Sequence, residues 1–87
     1  MSDKLYISPE QCRAARAMLC WSQDELAGAA NVSRSTVADF ERGVRIPVPN
    51  NIAAIRSVFE QAGIEFLPEQ GSKGAGVRFR PSQDQDK

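Results

Sequence analysis

Gln23-Asp24-Glu25-Leu26-Ala27-Gly28-Ala29-Ala30-Asn31-Val32-Ser33-Arg34-Ser35-Thr36-Val37-Ala38-Asp39-Phe40-Glu41-Arg42-Gly43 is the stretch whose reading decides the fold. Ser22 and Glu25 form a Ser-x-x-Glu capping box, which opens a short helix from Gln23 to about Ala29. Leu26 and Ala30 are its candidate buried residues, and Ala27 is small where a second helix must cross. Asn31 tolerates the left-handed backbone of a tight turn, and Val32 anchors that turn. Ser33 then caps a helix from Arg34 to Arg42, with Val37 and Phe40 facing inward, and Gly43 closes it as a C′ glycine.

Two short helices across a turn of about three residues make a helix-turn-helix. Upstream, Ser8-Pro9-Glu10-Gln11 reads as another helix start: serine caps, proline suits the first helical position and Gln11 completes a capping box. This helix is expected to run to about Cys20, with Cys12, Ala15, Met18 and Leu19 inward and Arg13 opposite. Downstream, a loop with two prolines, Val44 to Pro49, leads to a helix from about Asn50 to Ala62. There Ile52, Ile55, Phe59 and Ala62 recur at helical spacing, and Gly63 stops it.

Beyond Gly63 the pattern changes from helical period to alternation. Ile64-Glu65-Phe66-Leu67 and Val77-Arg78-Phe79-Arg80 read as short strands around a flexible glycine-rich loop. The fold class is mainly α: a small helical bundle plus a C-terminal hairpin or strand pair. Its parts are a lead-in at 1–7, a helix-turn-helix domain at 8–63, a β extension at 64–80 and a frayed polar tail at 81–87.

Composition bounds the function. The 87 residues suffice for one small domain. Eleven basic residues balance eleven acidic ones, so any hold on nucleic acid must come from a few placed arginines rather than bulk charge. With no histidine, the commonest general base and metal ligand is missing. No phosphate-binding glycine loop precedes a helix, and no carboxylate pair is framed by a pocket signal. An enzyme, a metal site and a cofactor are therefore not expected. Ala17 to Trp21 is the longest apolar run, far short of the ~20 residues of a membrane span, and no signal-peptide pattern is present. A cytoplasmic location is the expectation, with the nucleoid as the place of action on DNA. Cys12 and Cys20, placed on one helix, would lie about 12 Å apart, beyond disulfide reach. Both are expected as reduced, packed thiols.

The run Arg16-Ala17-Met18-Leu19-Cys20-Trp21-Ser22-Gln23-Asp24-Glu25-Leu26-Ala27, continued by Asn31-Val32-Ser33-Arg34-Ser35-Thr36-Val37 and Phe40-Glu41-Arg42-Gly43, resembles the lambda repressor/Cro-like (XRE) family of DNA-binding proteins. With the flanking helices the resemblance spans roughly Ser8 to Gly63. It implies a lambda-repressor-like bundle of about five helices. Four are legible here, and the Ile64–Arg80 extension takes the place of the fifth. It also implies an ion pair between Arg16 and Glu41. The chain departs from the family at Cys20, where a glycine is common and a left-handed cap would be strained, at Asn31, which replaces the turn glycine, and at Ala38 and Asp39, which make the third helix less basic.

The implied function is a sequence-specific transcriptional regulator, a repressor by analogy for so short a chain, bound to double-stranded DNA with its third helix in the major groove. Arg34, Ser35 and Asp39 are then the base readers: arginine pairs twice with guanine, serine serves as donor or acceptor, and aspartate either accepts from cytosine or, as an exposed charge, excludes wrong sequences by repulsion. Ser22 and Gln23 at a helix N-terminus, with Thr36, Arg42 and Arg45, are the phosphate contacts. The apolar face of Ile64, Phe66, Val77 and Phe79 is expected either to join a second copy's strands in a homodimer or to pack on the Asn50–Ala62 helix. The alternative is a protein-interaction module of antiactivator or antitoxin type, using the same tail.

Overall fold

Three serines, Ser8, Ser22 and Ser33, each accept a hydrogen bond from the backbone N–H three residues on, and each starts a helix. The structure is a computed structural model that describes residues 6–81. The expectations for the lead-in at 1–5 and the tail at 82–87 lie outside the described residues. Among these residues the order is α1 (Pro9–Leu19), α2 (Gln23–Ala30), α3 (Arg34–Glu41), α4 (Pro49–Gln61), β1 (Ile64–Leu67) and β2 (Gly76–Phe79). Both expected capping boxes form: Ser8 N–H donates to Gln11 Oε1 at 2.8 Å and Ser22 N–H donates to Glu25 Oε1 at 2.7 Å.

The helix ends are equally local. At the end of α3, Gly43 N–H donates to Phe40 O and Val44 N–H to Asp39 O, with Gly43 at φ 77°. These paired bonds close a Schellman motif. The same pair ends α1, where Cys20 holds φ 60°, and α2, where Asn31 holds φ 60°. The first helix thus stops at Leu19, one residue earlier than expected, because Cys20 has left the helical region. Pro49 supplies the first position of α4, one residue earlier than expected, and Ala62 is its exposed cap rather than a core residue.

Leu26, Val37, Ile52, Ile55, Phe59 and Ile64 form the fully buried centre of the core. Trp21 stacks on Phe59 at 5.7 Å between ring centroids, and Phe66 meets Phe59 edge-on at 5.9 Å. The strands pair antiparallel within the chain, Ile64 opposite Phe79 and Phe66 opposite Val77. One sheet face packs on α1 and α4, and the other carries Glu65 paired with Arg78. The loop between the strands is tighter than expected: Gln70 and Lys73 exchange two backbone bonds of 2.9 Å around Gly71, which takes φ 57°. Glycine suits that first central position of a two-residue turn.

Candidate nucleic-acid interface

α3 stands behind α2 with its first turn in solvent. Ser33 Oγ caps it and gathers the hydroxyls of Ser35 (3.1 Å) and Thr36 (2.8 Å). Arg34 and Ser35 are exposed and Thr36 half-buried. Arg34 Nε lies 3.5 Å from Asp24 Oδ1 of α2, an open pair with both side chains in water. One turn beyond Ser35, Asp39 takes Arg42 Nη2 at 2.7 Å on one oxygen and Arg45 Nε at 3.8 Å on the other. Of the residues singled out on the sequence, Arg34, Ser35, Asp39, Arg42 and Arg45 therefore share the outer side of α3 and its exit.

The start of α2 is a neighbouring donor surface. Ser22 is exposed, but its hydroxyl is occupied by Glu25 N–H. The Gln23 side chain turns inward instead, its Nε2 donating to Glu41 Oε1 at 3.0 Å. That leaves the backbone N–H of Gln23, rather than its amide group, for a phosphate, because the buried carboxylate is the stronger acceptor.

Behind the surface, Glu41 is the polar centre of the domain and is 3% exposed. Arg16 donates Nε to Glu41 Oε2 and Nη2 to Glu41 Oε1, both at 2.8 Å, and Nη1 to Trp21 O at 2.9 Å. Cys12 Sγ donates to Glu41 Oε2 at 3.2 Å, and Arg13 donates to the Glu41 carbonyl. Burial opposes ionisation of Glu41, but the bonds from Arg16, Gln23 and Cys12 outweigh it and hold the carboxyl below its ordinary value. Burial first, then Glu41, push the Cys12 thiol far up, so it stays protonated and donates. Cys20, expected to be packed, is exposed instead, because its left-handed backbone turns it out of the α1 stripe. The family resemblance places Arg16 alone beside Glu41. Cys12, Arg13 and Gln23 carry no sequence signal for this role beyond their helical positions.

The hairpin narrows a second expectation. Ile64 (0%) and Phe66 (8%) are buried in the chain's own core, packed against α4 rather than left open to a partner. Val77 is half-buried against the core, and Phe79 remains 55% exposed. Gln11, read as a capping residue, also donates its amide to Gly76 O at 2.9 Å and Leu67 O at 3.3 Å, which pins the hairpin to α1. An apolar groove of about 570 Å³ lies beside the α3 exit, lined by Tyr6, Ile7, Phe40, Gly43, Ile46 and Ile52. Pro47 is buried, whereas Val44, Ile46 and Val48 are exposed. The alternation of aliphatic residues with prolines was its sequence signal.

Two short helices held across a left-handed turn, with a polar outer helix face and an arginine-bearing exit, define a helix-turn-helix DNA-binding module. A family model described as Helix-turn-helix matches residues 13–63, more than half of the chain. The chain belongs to the XRE/lambda repressor-like helix-turn-helix family of DNA-binding domains. Comparison with curated proteins gives no match. A DNA-binding family fits a protein that is not an enzyme. Among the described residues no helix is long and apolar enough to cross a membrane, and no group of three or more Cys, Asp or Glu could hold a metal ion.

Proposed function

We propose that this protein is a sequence-specific transcriptional regulator, acting as a repressor, which reads DNA with Arg34 and Ser35 at the head of α3. The observation that carries the reading is the exposed first turn of α3, with Arg34 and Ser35 in solvent and Arg42 and Arg45 at its exit. Base edges meet the N-terminal residues of such a helix, and arginine supplies the bidentate guanine contact. Arg42, Arg45, Ser22, Thr36 and the free N–H groups opening α2 take phosphates on either side.

The working unit is a homodimer, since one domain with so few cations holds DNA weakly and two-fold half-sites double its contacts. Arg80 N–H donates to Gly63 O at 2.7 Å. Ladder alternation then turns the backbone groups of Val77 and Phe79 to the free edge of β2. With Phe79 exposed beside it, that edge is the place for a second copy. The same edge favours the second reading, an interaction module that adds a strand to another protein.

The test is a mobility shift on the DNA upstream of the protein's own gene, with wild type and Arg34→Ala. The expected result is a salt-sensitive shift whose preference over random DNA falls in the variant by about 1–3 kcal/mol. Equal loss on specific and random DNA removes Arg34 as a base reader. No shift at low salt transfers the function to the interaction module. A clean monomer mass by light scattering at tens of micromolar removes the dimer.

A further inference from the structure

The arginines best placed for phosphate are already paired inside the chain. Asp39 is 28% exposed, whereas Arg42 and Arg45 are 67% and 74% exposed. A half-sunken carboxylate thus holds two outlying guanidiniums, Arg42 through Oδ1 at 2.7 Å and Arg45 through Oδ2 at 3.8 Å. Asp39 follows Ser35 by one helical turn, so it faces the same way as the proposed reading residues.

We propose that Asp39 sets the selectivity of this surface by holding Arg42 and Arg45 as internal ion pairs that DNA phosphate must displace. This rests on the DNA-binding reading above. Exposed pairs are weak, so phosphates can exchange for Asp39, but the exchange costs part of each contact on every sequence alike. The carboxylate itself also stays at the interface and repels the backbone. Both effects lower affinity for DNA in general and leave the α3 head to choose the site. With zero formal net charge over the chain, there is no bulk attraction to mask such a local brake. The role differs from the cytosine contact expected from the sequence, because Asp39 Oδ1 accepts from Arg42 and Oδ2 faces Arg45 across 3.8 Å.

The test compares wild type with Asp39→Asn on a random-sequence duplex and on the upstream DNA, across a salt series. Circular dichroism and thermal melting check that the variant is folded. The expected result is random-duplex binding on the order of 3- to 10-fold tighter, with a salt slope steeper by roughly one to two units as the freed arginines each displace counterions. The ratio of specific to random affinity falls. Made in an Arg42→Gln/Arg45→Gln background, Asp39→Asn brings a clearly smaller gain than in wild type, because only the carboxylate's own repulsion is then removed. A folded Asp39→Asn with unchanged or weaker random binding overturns the inference while wild-type binding leaves the DNA reading standing. An equal gain in that background also overturns it, since the effect then bypasses the arginines. If neither wild type nor Asp39→Asn binds any duplex at low salt, the DNA reading and the inference fall together.

Discussion

The guanidinium of Arg16 grips both carboxylate oxygens of Glu41 at 2.8 Å, although the two residues stand 25 positions apart. The pair ties the last turn of α1 to the last turn of α3, and so sets how the outer helix is presented. Arg16 is 21% exposed and Glu41 3%, so removing one partner strands the other in poor solvent. Glu41→Ala is expected to cost about 3 kcal/mol, read as a lower urea midpoint. A loss under about 1 kcal/mol would mean that the pair is solvated like an ordinary surface bridge.

Acid should expose the same contact. The Glu41 carboxyl is held below its ordinary value of 4.5 by Arg16, Gln23 and Cys12 acting against its burial. Its contribution is fully present above that value and is lost as pH falls through the lower folded value. Glu65, held down by Arg78 on the open surface, acts in the same direction. Thermal midpoints should stay flat with respect to this group at neutral pH and decline below 4.5. In Glu41→Gln the decline should be shallower. An equally steep acid limb in that variant would assign the loss to other groups.

Cys20 occupies φ 60° without a glycine's freedom. The left-handed region costs an L-residue roughly 1–2 kcal/mol, partly offset by the larger unfolded-state entropy of glycine, about 0.5–1 kcal/mol. Cys20→Gly should therefore stabilise the protein by about 0.5–1 kcal/mol. Asn31→Gly should do less, because asparagine tolerates that conformation. Denaturant melts that rank the two the other way would show that Cys20 makes a contact worth more than its strain.

The two thiols should also separate by accessibility. Cys20 is exposed and Cys12 is buried with its proton held toward Glu41. A thiol reagent should modify Cys20 in the native protein and reach Cys12 only on unfolding. Equal native rates at both would place Cys12 in a region that opens readily.

Arg45→Ala should weaken binding to all duplexes alike, flattening the salt slope by roughly one unit in the Asp39→Asn background and by less in wild type, because Arg45 leaves the helix exit rather than its head. A change of base preference without a change of slope would make it a base reader instead.

The order of helices, their starts and their stops were legible in the residues. Caps are hydrogen bonds over three or four positions, so Ser22 with Glu25, Ser33 before Arg34 and Gly43 after Arg42 carry their own instructions. The alternation of Ile64-Glu65-Phe66 announced a strand for the same reason of short period. What covers the apolar face of that strand is not legible in the same way, because alternation says that one face is apolar and not what lies over it.

The sequence by itself determined a four-helix layout with a helix-turn-helix, closed by a strand pair, since these depend on interactions between near neighbours. Tertiary structure alone decided the rest. It brought Cys12 and Gln23 to Glu41, sent the Gln11 amide to Gly76, buried Ile64 and Phe66, and set Asp39 between Arg42 and Arg45. Most of these contacts join residues from different elements, and even the local Asp39 cluster takes Arg45 from a loop. Where such side chains meet depends on how helices and strands dock, and no local period records that.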